Sequence, residues 1–328
     1  MRVIFNECLC PYFNLASEEY LLESFMGDAF MIWRNEKSVI IGKNQNAYGE
    51  IDQGFCEEKG IKIVRRLTGG GAVFHDPGNI NFSFVTDAAE EGINFLPYVE
   101  SICKALSRFG IKAAANGRND IEVNGLKISG NAQCIRNCRD GRRRLLHHGT
   151  LLFSADMSAL EGALRVDGEK MESKGIKSVR NRVVNIRDIG GYTGPRSPLC
   201  FARELCKCFE ADMSDFTAEE KAEIEGLARE KYSKWEWNYG ESPRFSVEKS
   251  KRFPFGSVEI AYTAKKGTIE DIKITGDFFA AGDIEELETG LIGTTLEKED
   301  LEKAFESVHK YIHGATGEEI AELLLKNK

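Results

Sequence analysis

The chain has 328 residues, a length typical of about two domains, and its 42% hydrophobic and 29% charged residues are ordinary for a globular protein. Lys and Arg number 44 against 52 Asp and Glu, which gives a formal net charge of -8 at pH 7. This acidic balance argues against bulk electrostatic binding to nucleic acid or to anionic lipid. Any chemistry on phosphate groups must therefore come from a local site.

Cysteine usage and the amino-terminal residues indicate a compartment. The nine cysteines form no paired C-x-x-C arrangement of the zinc type, so we predict reduced thiols. The segment MRVIFNECLCPYFN lacks the apolar core of a secretory signal, and no apolar run approaches the roughly 18 residues of a membrane span. We therefore expect a cytoplasmic protein that engages neither membrane nor nucleic acid.

The first part of the chain predicts a mixture of helices and strands. A helix is expected over 15–26, with Asn14 as its cap and Glu18 and Glu19 in its first turn. A second helix is expected over 97–110, because apolar residues recur on one face between a proline and a glycine. Short β-type runs lie at 29–34, 38–42, 61–67 and 80–84.

A hairpin is the clearest local prediction. The segment DIEVNGLKIS contains Asn124-Gly125, the dipeptide that a two-residue turn with positive φ favours. A regular ladder then pairs Val123 with Leu126, Glu122 with Lys127, and Asp120 with Ser129. The segment RRRLLHHGTLLF predicts a further strand after the hairpin.

The second part of the chain predicts a separate small unit. Glycine and proline interrupt the pattern at 239–246 and indicate a domain boundary, so we predict domains at 1–240 and 247–328. A capping box of Thr217 and Glu220 begins one of the helices before the boundary. The expected helices are 199–209, 217–231, 284–291, 301–312 and 317–326, and the expected strands of the small unit lie around 258–262 and 272–274.

The segment RRLTGGGAVFHDPGN, residues 65–79, concentrates charge and glycine between two strands. Three consecutive glycines allow the backbone to approach a ligand and to turn N–H groups toward an anion, and Arg66 adds a fixed positive charge. This composition suits a nucleotide phosphate or a carboxylate. It fits a flexible hairpin connection equally well, because it matches neither G-x-x-x-x-G-K-[ST] nor G-x-G-x-x-G.

Further polar residues lie on the predicted hairpin and the strand that follows it. The segment NGRNDIEVNGLKISGNAQ places Asn119, Asp120 and Lys127 on a rigid ribbon, which suits catalytic geometry. Lys127 and Glu122 also fit a plain cross-strand ion pair of at most ~1 kcal/mol. In HHGTLLF, His148 is positioned either beside a ligand or simply within the packing of a strand.

Two basic segments are open to two interpretations each. The segment KSVRNRV, residues 177–183, fits a binding loop or a solvated surface. The segment RDGRRR, residues 139–144, fits a solvated loop between strands or a docking surface for an acidic carrier domain. The net charge argues against a nucleic-acid interpretation of RDGRRR.

Together, RRxTGGGAVFHDxGN, GRNDI, KISGNAQ, HHGTLL and KSVRNRV resemble the lipoate–protein ligase family in their order and density. The resemblance covers most of residues 14–183, and a weaker likeness extends to the end of the chain. It implies the fold class shared with biotin protein ligases. This is an α/β (α+β) fold with a large catalytic domain on a mixed β-sheet and a small α+β accessory domain.

The resemblance also implies site residues. Lys127 is expected to be catalytic, in contact with the activated carboxyl and phosphate groups, and Asp120 is a candidate Mg²⁺ ligand. The residues expected to bind lipoate and ATP are Arg66, Thr68, Gly69, Gly70, Gly71, Ala72, Val73, Phe74, His75, Asn119, Asp120, Lys127, His148, Gly149, Thr150, Ser178 and Arg180.

The activity that the resemblance implies has two steps. Lipoate reacts with ATP in the presence of Mg²⁺ to give lipoyl-AMP, and a lysine of a carrier domain then accepts the lipoyl group. The expected carriers are lipoyl domains of 2-oxoacid dehydrogenase complexes or the glycine cleavage H protein, and no prosthetic group is expected. A pocket that gains roughly 0.8 kcal/mol per buried methylene is also open to octanoate.

Two alternatives differ in chemistry. Cys134 directly follows NAQ, and an octanoyl or lipoyl transferase working through a cysteine thioester requires an accessible thiol with a lowered pKa. The accessory-like carboxy-terminal part favours the ligase over this transferase. A non-catalytic lipoyl-binding protein is disfavoured because Arg66, Asp120 and Lys127 are all present.

Overall fold

The computed structural model describes residues 1–325 apart from 46, 48–50, 52, 90–91, 117–118, 157–182, 210–212, 240–246 and 266. Its strands are β1 (Arg2–Phe5), β2 (Ala29–Trp33), β3 (Ser38–Ile41), β4 (Lys62–Arg65), β5 (Val73–His75), β6 (Asn79–Asp87), β7 (Ala114–Asn116), β8 (Asp120–Val123), β9 (Leu126–Asn137), β10 (Arg143–Leu152), β11 (Met213–Ser214), β12 (Val247–Phe253), β13 (Gly256–Lys265) and β14 (Thr268–Gly276). Its helices are α1 (Pro11–Glu23), α2 (Gln53–Glu58), α3 (Leu96–Ser107), α4 (Pro198–Lys207), α5 (Ala218–Leu227), α6 (Trp235–Asn238), α7 (Ile284–Leu291), α8 (Lys298–Ala304) and α9 (Gly317–Leu325).

The main sheet is mixed, which confirms the predicted fold class. Its strand order is β11-β1-β2-β6-β10-β9-β8-β7. The strands β11, β1 and β2 run parallel, whereas β2, β6, β10 and β9 pair antiparallel. Side chains alternate between the two faces, so that Phe30 and Phe82 pack into a cluster with α3 and α4, while Met31 and Trp33 pack beneath α1.

A small second sheet carries the glycine-rich segment. Its order is β4-β3-β5, with β3 parallel to β4 and antiparallel to β5. The glycine loop, residues 68–72, connects β4 to β5. Residues of this sheet form a separate apolar cluster that includes Val39, Ile41 and Phe74. The loop is therefore held between two strands that are both packed.

The C-terminal unit, residues 247–325, has its own core. The strands β12, β13 and β14 form an antiparallel sheet, and Ile260, Ile274, Leu291 and Phe305 are buried against the helices of the unit. Of these strands, β12 has no counterpart among the sequence predictions. Residues 240–246 of the boundary predicted at 239–246 lie outside the described residues, so the division into two domains stays a prediction.

The first helix begins earlier than the sequence predicted. It starts at Pro11, where proline suits the first turn, so Asn14 lies within the helix and is not its cap. Asn14 is fully buried and donates to the carbonyls of Cys8 and Arg34. Glu18 is also fully buried, and because the helix begins at Pro11, Glu18 and Glu19 lie beyond its first turn, where the sequence had placed them.

The hairpin prediction was correct near the turn and wrong beyond it. Asn124 and Gly125 have φ angles of 53° and 78°, as a two-residue turn requires. Glu122 pairs with Lys127 as predicted, but a bulge follows, and Asp120 faces Gly130 instead of Ser129. The extra residue on β9 changes which side chains meet across the ribbon.

Helix ends account for most of the remaining differences. The capping box of Thr217 and Glu220 is present, but α5 ends at Leu227 and continues as a wider turn to Tyr232. The predicted helix at 301–312 is divided into α8 and a short 3-10 turn.

All nine cysteines are free thiols. Within the described part of the chain, no helix has both the length and the apolar character needed to cross a bilayer.

Candidate functional site

One cavity of about 220 Å³ brings most of the predicted site residues together. The predicted residues that line it are Arg66, Gly70, Gly71, Ala72, Val73, His75, Asn119, Lys127, His148, Gly149 and Thr150. Residues that the sequence did not single out also line it, namely Leu15, Trp33, Ile40, Asn81, Gly130, Asn131, Ala132 and Phe279. Residues of α1, of both sheets in the first part of the chain and of the C-terminal unit therefore line the cavity.

The guanidinium of Arg66 holds the glycine loop in place. Its Nη2 donates to the carbonyls of Gly69 at 2.6 Å and Gly71 at 2.9 Å, and its Nε donates to Thr68 Oγ1 at 3.0 Å. Burial lowers the pKa of Arg66 to about 10, so the group stays charged at neutral pH. Arg66 therefore organises the loop with its donors, and its charge acts on the cavity from that fixed position.

The glycine loop fits only because two glycines approach each other. A Cβ atom on Gly42 would lie 2.0 Å from the carbonyl oxygen of Gly70. Gly70 itself has a φ of +90°, a conformation that other residues rarely adopt. The sequence requirement for glycine thus extends to Gly42, a residue outside the GGG motif.

A buried chain of hydrogen bonds ties the glycine loop to α1 and the main sheet. Thr68 Oγ1 lies 2.7 Å from His148 Nε2, and His148 Nδ1 lies 2.8 Å from a carboxylate oxygen of Glu18. Ser83 donates to the same oxygen at 2.6 Å, and Trp33 Nε1 donates to Ser83 at 2.8 Å. Thr68 does not line the cavity, and its role here is to fix the loop against His148.

Lys127 forms its ion pair with a residue other than the one predicted. Its Nζ lies 2.8 Å from Asp120 Oδ1, whereas Glu122, its neighbour across the ladder, is not its ion-pair partner among the described contacts. The bulge in the hairpin brings Asp120 opposite Gly130, beside the lysine. Both side chains are about one-third exposed, at 35% and 31%. The ammonium group therefore lies at the mouth of the cavity and remains reachable.

The backbone around Lys127 is held from both sides. The Asn119 side chain donates to Asn131 O at 2.7 Å, and the Asn131 side chain donates to Asn119 O at 2.9 Å. The Lys127 carbonyl accepts from the N–H of Val184 at 3.1 Å. These contacts fix the ribbon on which the lysine stands, as a catalytic position requires.

His75 is a neutral imidazole in the cavity wall. It is 3% exposed, and burial lowers its pKa to about 3. The charge of Arg66 lowers the pKa further. Its Nδ1 lies 3.1 Å from the side-chain nitrogen of Asn35. At neutral pH, His75 therefore presents a hydrogen-bonding ring and no charge.

The C-terminal unit contributes Phe279, which no sequence pattern indicated. Its ring is 1% exposed, packs 5.3 Å from the ring of Phe95 and lies against Gly70. The preceding carbonyl, of Phe278, accepts from the N–H of Gly70 at 3.1 Å. Phe278 and Phe279, more than 200 positions along the chain, therefore pack against the glycine loop. This contact depends on the folding of the whole chain and has no local sequence signal.

Several predicted residues lie elsewhere. Gly69 contacts the backbone of Phe278, and Phe74 packs in the core of the small sheet. Ser178 and Arg180 lie outside the described residues. Among the described residues, no three His, Cys, Asp or Glu side chains come together as a group that could hold a metal ion. Asp120 forms an ion pair with Lys127, and its role as a Mg²⁺ ligand stays a prediction.

Cys134 lacks the properties of a nucleophile. It is 7% exposed and packs in the apolar cluster beneath α1. Burial raises the pKa of its thiol to about 12, so the thiolate is scarce at neutral pH. The residue does not line the cavity. The sequence position after NAQ therefore does not place the thiol in the site.

The RDGRRR segment is partly structural. Arg144 is 1% exposed, forms an ion pair with Asp87 at 2.7 Å and donates to the carbonyl of Gly27. Arg142 donates to two backbone carbonyls at the end of α1. Two of its arginines thus anchor the chain, whereas Arg139 and Arg143 are exposed, and the docking interpretation stays a prediction.

Two family models match the chain. Residues 10–209 match the lipoyl protein ligase A/B catalytic domain, and residues 242–324 match the bacterial lipoate protein ligase C-terminus. A lipoate-protein ligase of Bacillus subtilis, LplJ, is 40% identical over 324 residues, which cover 96% of each chain.

Solved structures show the same architecture. The LipL1 protein of P. falciparum, in complex with lipoate, has a TM-score of 0.79 and 28% identity and covers 99% of both chains. A bipartite lipoate protein ligase system of Thermoplasma acidophilum, with its E2 lipoyl domain, has a TM-score of 0.62 and 30% identity over 75% of this chain and 100% of that one. A lipoate-protein ligase A bound with ATP has a TM-score of 0.59 and 28% identity over 73% of this chain and 98% of that one. With matched models over most of its length and a relative at 40% identity, the chain belongs to the lipoate–protein ligase family.

Proposed function

We propose that this chain is an ATP-dependent lipoate–protein ligase that uses the cavity beside the glycine loop for both of its steps. The central observation is that Lys127, residues of the glycine loop and apolar side chains line one cavity. Family membership and the similarity to proteins solved with lipoate and with ATP support it.

In the first step, a carboxylate oxygen of lipoate attacks the α-phosphorus of ATP. A P–O bond forms, the bond to the bridging oxygen breaks, and pyrophosphate leaves. Two anions must approach each other, so positive groups at fixed positions lower the barrier. Lys127 at the cavity mouth and the charge of Arg66 behind the loop are suited to this task.

In the second step, the ε-amine of an acceptor lysine attacks the acyl carbon of lipoyl-AMP. An amide bond forms, AMP leaves and the amine loses a proton. Neither step requires a covalent bond to the protein. The acceptors that we propose are lipoyl domains of 2-oxoacid dehydrogenase complexes or the glycine cleavage H protein, and the Thermoplasma acidophilum ligase and its E2 lipoyl domain offer a parallel.

Apolar side chains in the cavity wall suit the tail of lipoate. Leu15, Trp33, Ile40 and Phe279 are among the residues that line the cavity. Burial of a tail contributes roughly 0.8 kcal/mol per methylene group. These side chains therefore supply binding energy to the unreactive part of the substrate, so that the charged groups are free to act on the transition state.

Magnesium enters this proposal as part of the MgATP substrate. Phosphate oxygens and water supply most ligands of such ions, with one or two carboxylates from the protein. The ion pair between Asp120 and Lys127 at 2.8 Å supports a positioning role for Asp120, and the carboxylate is also a candidate for one ligand position of the Mg²⁺ ion. If Asp120 only positions Lys127, Asp120→Asn should weaken adenylation equally at low and at high Mg²⁺ concentration, whereas a loss that added Mg²⁺ relieves would support the ligand role.

A lipoate-dependent exchange of labelled pyrophosphate into ATP tests the first step directly. The proposal requires exchange with lipoate and none without it. Absence of exchange by a folded protein would support the non-catalytic binding alternative.

The cysteine transferase makes a different demand. Because Cys134 is buried and lies outside the cavity, Cys134→Ser should keep the exchange activity within a few-fold of the parent chain. Complete loss in a variant with an unchanged melting temperature would favour the thioester mechanism.

A further inference from the structure

His75 has one ring nitrogen whose partner is missing. The side chain lines the cavity and is 3% exposed, and Nδ1 contacts the side-chain nitrogen of Asn35 at 3.1 Å. The other nitrogen, Nε2, is buried and has no hydrogen-bond partner in the part of the chain that the structure describes. A buried polar atom without a partner is costly, so its presence in a cavity wall points to an atom of a bound molecule as its partner.

A chain of buried amides fixes the orientation of Asn35. The backbone N–H of Cys8 donates to Asn6 Oδ1 at 3.0 Å, and Asn6 Nδ2 donates to Asn14 Oδ1 at 2.9 Å. Asn14 Nδ2 then donates to Asn35 Oδ1 at 2.8 Å and also to the carbonyls of Cys8 and Arg34. Because a backbone donor begins the chain and backbone carbonyls fix Asn14, none of these amides can be reversed without loss of contacts.

This chain determines the tautomer of His75. With its oxygen engaged by Asn14, Asn35 can offer only its NH₂ group to the ring, so Nδ1 accepts. A neutral imidazole carries its hydrogen on the other nitrogen, which places an N–H on Nε2. The burial of the ring, with the charge of Arg66 nearby, keeps the imidazole neutral, and the cavity therefore contains an uncharged donor of fixed position.

The position of His75 along the cavity limits which ligand atom it meets. One row of residues crosses four strands of the main sheet. Trp33 on β2 pairs with Asn81 on β6, and Asn81 pairs with Thr150 on β10. The Thr150 hydroxyl accepts a hydrogen bond from the N–H of Gly130 on β9. Three strand spacings of about 4.8 Å separate the ends of this row by about 14 Å. His75 contacts the ring of Trp33 at a centroid distance of 6.1 Å, so it lies at the end of the row away from the lysine.

We infer, on the basis of the proposed function, that His75 is a specificity-determining residue whose Nε2–H donates to a sulfur of the lipoate dithiolane ring, with Asn6, Asn14 and Asn35 as positioning residues. When the carboxylate is at the lysine end, the ring of lipoate reaches the Trp33 end. A ring sulfur is a weak acceptor, as in a thioether. Octanoate ends in a methyl group, so its binding leaves the buried N–H unpaired.

Asn81 places a second buried amide in the cavity wall, but the orientation of this amide is not fixed. Asn81 Nδ2 also lacks a partner within the described ranges. However, its orientation rests on Asn79 alone, whose own oxygen is unpaired. Either orientation of the two amides preserves their contact, so the group that Asn81 presents to the cavity is undetermined.

The test compares lipoate with octanoate in the pyrophosphate exchange reaction, using the full chain. We expect a preference for lipoate in kcat/KM, and His75→Phe should reduce that ratio roughly tenfold through KM. His75→Gln, which keeps an amide N–H, should retain most of it. His309→Phe, a change at an exposed histidine of the C-terminal unit, is the matched control and should leave the ratio unchanged.

Imidazole nitrogen NMR of the unmodified protein tests the tautomer independently of any variant. His75 should show a bare Nδ1 and a protonated Nε2, and lipoate should shift the Nε2–H signal more than octanoate does. Asn35→Leu removes the donor that fixes the ring, so both tautomers should then appear and the lipoate preference should fall.

The possible outcomes separate this inference from the proposed function. A protonated Nδ1, or an equal loss for both acids in His75→Phe, would overturn the specificity role. If the parent chain activates both acids and His75→Phe leaves the ratio unchanged, the inference alone fails. If the parent chain activates neither acid, the proposed function fails as well.

Discussion

Lys127 can be tested at the level of a single charge. If it only pairs with a carboxylate on the ribbon, Lys127→Ala should cost at most ~1 kcal/mol of stability and leave turnover nearly intact. If it stabilises charge on the reacting oxygens, adenylate formation should fall by about 10²- to 10³-fold while the melting temperature hardly changes. We predict the second result.

Lys127→Arg is the sharper form of this test. It keeps the charge and can keep the contact with Asp120, but its wider planar group should misplace the donor. We expect a folded and poorly active protein, measured as lipoate-dependent pyrophosphate release beside a melting curve. Near-normal release by Lys127→Ala would remove the support for a catalytic lysine.

Buried neutral histidines predict how stability depends on pH. Burial lowers the pKa of His75 to about 3 in the folded protein, whereas an unfolded histidine has a value of about 6.5. Between these values the unfolded state binds a proton that the folded state does not, so stability falls as pH drops below about 6.5. His147 adds to this effect, because burial lowers its pKa well below the ordinary value.

The contribution of His75 is measurable by difference. Each such histidine adds up to ~1.4 kcal/mol of unfolding free energy per pH unit to the slope. Denaturant unfolding between pH 7 and pH 4.5 should therefore show a shallower acid loss for His75→Gln than for the parent chain. Identical slopes would mean that the ring is protonated in the folded state.

At the scale of elements, the close contact between Gly42, just after β3, and Gly70 of the glycine loop leaves no room for a side chain at position 42. In Gly42→Ala, the new Cβ would lie 2.0 Å from the carbonyl oxygen of Gly70, so backbone must move. We expect the loop to shift and the KM for lipoate to rise roughly tenfold or more, since small misplacements at a site are costly.

Gly226→Ala is the matched control for this prediction. Gly226 lies in α5 with open space around its Cβ position, so alanine should stabilise the helix by roughly 0.5–1 kcal/mol and leave KM unchanged. Kinetics and melting curves of both variants decide the matter. An unaltered KM in Gly42→Ala would show that the loop tolerates the displacement.

Elements with a strong local signal were predicted well from the sequence. The alternation in β13 and β14 and the capping box of Thr217 and Glu220 are local patterns, and the structure confirms them. The bulge in the hairpin has no such signal, because its position is set by what the ribbon meets in the folded chain. For the same reason, the sequence indicated Glu122 as the partner of Lys127, whereas the structure gives Asp120.

The site residues also divide into those that the sequence predicted from a local motif and those that only the folded structure brings into the cavity. Glycines and charged residues of one segment are visible in sequence, and the cavity contains most of them. Apolar contributors such as Leu15, Trp33 and Phe279 resemble ordinary core residues, and nothing local distinguishes them. Their role follows from topology alone.

For the whole molecule, the C-terminal unit has its own core and also a side chain in the cavity wall. A chain that ends near Tyr239 should stay folded and lose mainly adenylate formation, because the glycine loop loses its contact with the backbone of Phe278 and the cover of Phe279. Synthetic lipoyl-AMP should restore transfer. Equal defects in both half-reactions would contradict this division of labour.

Single substitutions in the full chain distinguish the effect of the Phe279 contact from the effect of removing the whole C-terminal unit. Phe279→Leu alters the cavity wall, whereas Phe255→Leu makes the same change in the separate core of the unit. We expect a raised KM for lipoate in the first variant only, with a lowered melting temperature in both. A raised KM in both variants would show that stability of the unit, and not Phe279 itself, controls binding.

The most direct measurement of the central claim is the mass of a lipoyl-domain substrate after incubation with this protein, MgATP and lipoate. The account predicts a mass increase equal to one lipoyl group on a lysine, absent when ATP is omitted and strongly reduced with Lys127→Ala. An increase without ATP, or one that Lys127→Ala leaves unchanged, would contradict it.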